Sequence, residues 1–214
     1  MRVVLMGPPG VGKGTQASRL RDDLGVPHIS SGDLLRDAVK SGSALGRKAR
    51  SCVESGELVP DGLMGELIAE RLGKSDARRG FVLDGFPRTV GQVAILDQVL
   101  KRLSVSVETV VLLTADPGEI VRRLSGRRIC RNDGTLYHVE SNPPKSAGIC
   151  DRCGAALIQR EDDTEAVIRR RLEVYSRETL PAASAYRERG ILIEVDAGGN
   201  ADAVFARLKA GLAA

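Results

Sequence analysis

The segment Gly7-Pro8-Pro9-Gly10-Val11-Gly12-Lys13-Gly14-Thr15 carries the clearest chemistry in the chain. Glycines at this density let backbone N–H groups curl around phosphate oxygens, and a lysine directly after the last loop glycine reaches the outer phosphates. The position after Lys13 is Gly14 rather than Ser or Thr, with the hydroxyl one place later at Thr15, so direct Mg²⁺ ligation by that hydroxyl does not follow from the spacing. A second constellation, Phe81-Val82-Leu83-Asp84-Gly85-Phe86-Pro87-Arg88-Thr89, puts a carboxylate after an apolar run. At the carboxyl end of a buried strand such a carboxylate stands where open α/β sheets bind ligands, and Asp84 can hold the water shell of a phosphate-bound Mg²⁺. A third is the cysteine group Cys130, Cys150 and Cys153 with Asp133, two x2-spaced knuckles of the kind that wrap tetrahedral zinc. His138 is close enough in sequence to compete as fourth ligand, but its spacing does not match the knuckle.

The elements that must position these groups follow from periodicity. Apolar runs at 3–6, 27–30, 81–83, 109–113 and 191–195 alternate with amphipathic stretches at 15–24, 63–72, 90–103, 119–124, 165–189 and 201–212. That rhythm predicts a parallel sheet covered by helices, with Pro181 kinking or dividing the long helical stretch and His28 closing the second strand. Two segments interrupt it. Residues 30–59 hold two short helical patterns, 33–40 and 44–54, and residues 126–163 read as a loop-rich or β-rich insertion too small to pack a core unaided. The sequence leaves the isomer of the Phe86-Pro87 bond open.

Composition narrows the classes. The 214 residues are 42% hydrophobic and 28% charged, which is globular and enough for one core without disulfides. There is no Trp, and only three Phe and three Tyr, so base-stacking platforms for single-stranded nucleic acid are nearly absent. No apolar run nears the roughly 18 residues of a membrane span, and the amino terminus reads straight into a strand, so a cytoplasmic location is expected. The formal charge of +4 hides a skew toward arginine, 25 against seven lysines, and arginine is the residue that grips phosphate through a planar fork. Residues 122–171 contain 11 cations and 7 anions and thus hold the whole surplus.

Taken with Ser30-Ser31-Gly32-Asp33-Leu34-Leu35-Arg36, the glycine loop and the Asp84 segment resemble the adenylate kinase family in its bacterial long-lid form. The resemblance runs from Met1 to at least Val195, with every motif in family order. It implies a P-loop nucleoside monophosphate kinase fold: a five-stranded parallel sheet flanked by helices (1–29, 60–125, 164–214), a helical AMP-binding insertion (30–59) and an ATP lid (126–163). It implies reversible phosphoryl transfer from Mg-ATP to AMP, giving two ADP, by a monomer.

By position, the resemblance assigns Gly10, Val11, Gly12, Lys13, Gly14 and Thr15 to the ATP phosphates. Arg123, Arg127, Leu136, Tyr137 and Gly199 fall to the rest of ATP. Ser31, Arg36, Glu57, Leu58, Val59, Gly85, Phe86, Pro87, Arg88 and Gln92 fall to AMP, and Arg160 and Arg171 clamp phosphates across the site. Lys13, Asp84, Arg88, Arg127, Arg160 and Arg171 are the expected catalytic set. The family's usual Thr is Ser31 here, which keeps the hydroxyl. Cys130, Asp133, Cys150 and Cys153 are expected to hold a structural zinc, and Cys52 to be a packed thiol. Two rival readings remain: a uridylate/cytidylate-type kinase, disfavoured by the long insertion and the Asp-Gly-Phe-Pro-Arg-Thr turn, and a zinc-ribbon nucleic-acid binder, which leaves the glycine loop unexplained.

Overall fold

In the computed structural model, which describes residues 1–213, β1 (Arg2–Met6) lies at the centre of a five-stranded sheet. Its neighbours are β3 (Phe81–Asp84) and β4 (Thr109–Thr114), with β2 (His28–Ser30) and β8 (Leu192–Asp196) at the edges. Every pairing is parallel, and a parallel sheet of this kind has both faces covered. Val3, Val4, Leu5, Val82, Leu83, Val110, Val111 and Leu113 are fully buried, so the sheet's core is mostly aliphatic, with Phe81, Phe86 and Tyr186 as its buried aromatic rings.

The parallel arrangement sends the carboxyl end of each strand to the same edge. There β1 runs into the glycine loop and α1 (Lys13–Leu24), and β2 runs directly into α2 (Ser31–Lys40). Ser30 caps α2, its hydroxyl accepting the Asp33 N–H at 3.2 Å. After α3 (Ala44–Ser55) the chain returns through α4 (Asp61–Leu72), and β3 delivers Asp84 to the same edge, followed by α5 (Val90–Arg102). Cys52 is partly buried against the core, as a packed thiol.

Beyond β4 and α6 (Pro117–Ser125) the insertion proves to be a three-stranded antiparallel sheet, β5 (Arg127–Cys130) between β6 (Leu136–His138) and β7 (Leu157–Ile158). Its apolar centre is only Cys130, Tyr137 and Cys150, with Ala155 and Leu157 against them.

Two expectations need correction. The long helical stretch is not divided at Pro181: α7 (Glu165–Val174) opens into a π-helical turn at Tyr175–Thr179, and α8 (Leu180–Glu188) starts after it. The wider turn falls before the proline, which then sits in the first turn of α8, where an absent N–H leaves little unpaired. His28 opens β2 rather than closing it, and its Nε2 lies 3.5 Å from Asp84 Oδ2. The chain ends in α9 (Ala201–Ala213). No helix among the described residues is long and apolar enough to cross a membrane.

Candidate active site and lid metal cluster

A cleft of about 960 Å³ runs along the carboxyl edge of the sheet. Gly10, Val11, Gly12, Gly14 and Thr15 wrap one part of it, and Arg36, Glu57, Leu58, Asp84, Gly85, Pro87 and Arg88 line another. Arg123, Arg127, Leu136, Tyr137, Arg160, Arg171 and Gly199 face the same space. Ser31, Val59 and Gln92 line a smaller recess beside it. Phe86 does neither, because its ring is 1% exposed and packs into the core beneath the turn. The Phe86-Pro87 bond is cis.

The loop turns tightly over α6. At Gly10, with φ +78°, a Cβ would lie 2.5 Å from Leu124 Cγ, so the loop sits closer to that helix than any side chain permits. Lys13 opens α1 and folds back, its ammonium donating to the carbonyls of Gly7 and Pro8 at 2.8 Å each. Burial pulls its pKa down to about 7 against the attraction of Asp84, with Arg88, Arg171 and Arg127 pushing the same way as burial.

Nine cations line the cleft, and of the seven that the resemblance assigns to nucleotide, four have a carboxylate partner. Arg127 makes a two-pronged contact with Asp163, 2.7 and 2.6 Å, and that aspartate is completely buried. Arg171 donates to Asp162 Oδ2 at 2.9 Å, Arg36 to Asp33 at 2.5 Å, and Arg123 to Glu119. Arg123 also reaches the carbonyls of Ala197 at 2.9 Å and Gly199 at 3.4 Å.

Among the described residues the other three, Lys13, Arg88 and Arg160, have no carboxylate at ion-pair distance. Arg88 Nε donates to Gly85 O at 2.6 Å, and Arg160 Nε is buried without a partner. Burial lowers both guanidinium pKa values to about 10; Arg171 is the next cause for Arg88, and Arg36 for Arg160. These are cations held in place and lacking an anion, which is what a polyphosphate site requires before its ligand arrives.

Gly85 sits at the crossing point. Its φ is +78°, and a Cβ there would come within 2.8 Å of Ser31 Oγ and 3.0 Å of Arg88 Nη2. Gly85→Ala is therefore expected to cost about 1–3 kcal/mol of stability. A melting curve of the variant checks this, and an unchanged Tm would show that the turn tolerates a side chain there.

In the small sheet, one ligand atom each from Cys130, Asp133, Cys150 and Cys153 lies within 4.8 Å of every other. The sulfurs of Cys130 and Cys153 are 3.3 Å apart, and Cys150 Sγ is 3.6 Å from Asp133 Oδ2. A zinc tetrahedron has sulfur–sulfur edges of about 3.8 Å, so this donor set fits the ion with small adjustments. Thr135 N–H donates to Asp133 Oδ1 at 2.9 Å, and the Tyr137 hydroxyl, 3.6 Å from Cys150 Sγ, accepts the Asp151 N–H at 2.8 Å. Such outer contacts orient ligands. His138 is not a competitor. Its Nδ1 accepts the N–H groups of Glu140 and Ser141 at 3.1 Å, which leaves the ring proton on Nε2, aimed at Arg122 O 3.3 Å away.

The cleft also contains residues that motif spacing did not single out. Asp33, Glu119 and Asp162 are the carboxylates that occupy the arginines, and Gln16, Arg19, Asn200 and Ala201 close the end near Gly199. The acid run Glu161-Asp162-Asp163 directly after Arg160 was the available signal for Asp162, and the i,i+3 and i,i+4 spacings to Arg36 and Arg123 for Asp33 and Glu119.

The sequence model of the family described as "Adenylate kinase" matches residues 5–191. The chain is 50% identical over 212 residues to a protein named adenylate kinase from Methanocella arvoryzae, covering 99% of this chain and 98% of that one. It is 47% identical over 209 residues to the adenylate kinase of Bacillus licheniformis, covering 98% and 96% of the two chains. With that of Citrifermentans bemidjiense it shares 48% identity over 214 residues, the full length of both.

Proposed function

The chain belongs to the adenylate kinase family and is an ATP:AMP phosphotransferase, with Mg²⁺ accompanying ATP; from that premise we propose which residues perform each part of the transfer. What supports the assignment is that Lys13, Arg88 and Arg160, cations without a carboxylate partner, share one cleft with Arg36, Arg123, Arg127 and Arg171, which hold theirs.

Gly10 to Thr15 cradle the ATP phosphates with backbone N–H groups, and Lys13 leaves its own loop carbonyls for the outer phosphates. Arg123, Leu136, Tyr137 and Gly199 form the ATP side. Arg88 and Arg36 grip the AMP phosphate. Ser31, Glu57, Leu58, Val59, Gly85, Pro87 and Gln92 surround the rest of that nucleotide, with Phe86 supporting the turn from below.

The transferring group passes through a loose, in-line transition state whose charge spreads over its oxygens, so positioning and cations do the catalysis. Arg127, Arg160 and Arg171 meet that charge. Asp84, only 8% exposed and with its Oδ2 3.6 Å from where a Cβ on Gly14 would sit, is placed to hold the water shell of the phosphate-bound ion. Bound there with ATP, Mg²⁺ would offset the negative charge of the phosphates. No side chain needs to move a proton.

Residues 126–163 act as a lid that excludes water on closure, residues 30–59 as the AMP-binding part, and 1–29, 60–125 and 164–214 as the core. In the lid, Cys130, Asp133, Cys150 and Cys153 hold a structural zinc, a staple for a sheet with only five residues at its apolar centre. One chain supplies every group named, which supports a monomer as the working unit.

The direct test mixes purified protein with ATP, Mg²⁺ and one monophosphate at a time and follows ADP. Turnover with AMP far above that with CMP or UMP is expected. No ADP from AMP would overturn the assignment, and equal turnover with CMP or UMP would reassign the acceptor side.

A further inference from the structure

Gln92 is 2% exposed, and both ends of its amide are held. Oε1 accepts the Arg88 backbone N–H at 2.8 Å, and Nε2 donates to Asp61 Oδ1 at 2.9 Å. Asp61 lies at the start of α4, and its other oxygen accepts the Thr89 hydroxyl at 2.7 Å. Thr89 Oγ1 in turn accepts the Gln92 N–H at 3.0 Å, capping α5. The two helices meet closely here, since a Cβ on Gly91 would come within 2.5 Å of Asp61 Oδ2.

The polarity of this arrangement has one solution. A backbone N–H can only donate and a carboxylate can only accept, so turning the amide over would set donor against donor and acceptor against acceptor. Each end of the amide keeps unused capacity, one lone pair on Oε1 and one N–H on Nε2. Gln92 opens onto a recess of about 40 Å³ with Leu35, Val59 and Met64 on its walls. An adjacent acceptor and donor match the 6-amino group and N1 of adenine. A 6-oxopurine offers the reverse, a carbonyl oxygen beside an N–H, which the same amide could read only if turned over.

We propose that Asp61 is a positioning residue that fixes the sense of the Gln92 amide, and through it the preference for a 6-aminopurine monophosphate over a 6-oxopurine one; this rests on the assignment of Gln92 to the AMP base. Without Asp61 a single N–H holds that sense, and a 6-oxopurine can offset its loss by making two bonds to the turned amide.

The experiment measures kcat/KM for AMP and IMP at saturating Mg-ATP in the native protein, Asp61→Ala, Asp61→Asn and Gln92→Ala. Asp61→Ala is expected to lower the AMP:IMP ratio about tenfold, through the AMP KM, with the ATP KM unchanged. Asp61→Asn, whose Oδ1 still accepts from Gln92 while its Nδ2 donates to Thr89 Oγ1, restores most of the ratio. Asp61→Ser, which retains a helix-starting residue but cannot reach Gln92, serves the same comparison if the alanine variant does not fold. Equal losses on AMP and IMP would overturn the proposal and leave Asp61 a purely structural contact. If Gln92→Ala collapses the ratio and Asp61→Ala does not, the role of Asp61 alone falls. If neither variant moves it, the assignment of Gln92 to the base falls as well.

Discussion

Arg88→Lys is expected to lower kcat/KM for AMP by about 100- to 1,000-fold while leaving the ATP KM within about threefold of the native value. The substitution keeps a positive side chain, so the loss must come from geometry. Arg88 spends its Nε on the Gly85 carbonyl at 2.6 Å, which aims the two terminal nitrogens into the cleft as a fork. A lysine has one nitrogen and cannot both hold the carbonyl and present two parallel donors to a phosphate. Burial already pulls the Arg88 guanidinium down to about 10, and a lysine in the same place, starting from a lower intrinsic value, would give up its proton more readily. Stability should not follow activity. Neither residue has a carboxylate partner there, so the folded chain carries a similar uncompensated cation and Tm should stay close to native. Titration of AMP at fixed Mg-ATP, with a melting curve of each protein, checks both halves. Kinetics within threefold of native would remove Arg88 from the phosphate site.

The second large effect concerns stability. Elemental analysis is expected to find one zinc per chain, and Cys150→Ser to lose it. Melting should fall by about 5–10 °C if the metal contributes 2–3 kcal/mol to a chain of this size. The apolar centre of the small sheet is Cys130, Tyr137 and Cys150 with Ala155 and Leu157, and two of those five belong to the proposed zinc cluster. Serine removes a thiolate and a buried apolar atom together, and nothing else in that sheet can replace them. Turnover well below the transition should survive, because the cluster holds the lid's shape and does not touch the reacting groups. Wild-type protein without metal that melts at the temperature of the zinc-loaded form would overturn this assignment.

Much of this molecule was readable from the chain. The glycine loop, the Asp84 segment and the paired knuckles are local signals, in which residue type and spacing carry the geometry. The five strands and their parallel pairing followed from apolar runs separated by amphipathic stretches. What was not readable depends on packing between distant segments. Phe86 stands between two cleft residues, yet the tight turn at Gly85 sends its ring into the core. The π-helical turn at Tyr175–Thr179 has no marker of its own, and Pro181 drew the expected break downstream of it. His138 could be judged only once Glu140, Ser141 and Arg122 were seen around both ring nitrogens. Asp61 carries no motif, because its function lies in a helix 31 positions from the side chain it orients.

The paired arginines alter how nucleotide binding responds to salt. Arg36, Arg123, Arg127 and Arg171 enter the reaction with internal counter-ions, the carboxylates of Asp33, Glu119, Asp163 and Asp162. A phosphate arriving at any of them takes part in an ion exchange within the protein rather than a release of solvent ions, so those four contribute little to the ionic-strength dependence. Lys13, Arg88 and Arg160 have no such carboxylate and, with Arg122 on the same cleft, carry most of it. Of the seven cations proposed to meet phosphate, only these three attract it with full charge, and a salt titration reads the smaller number.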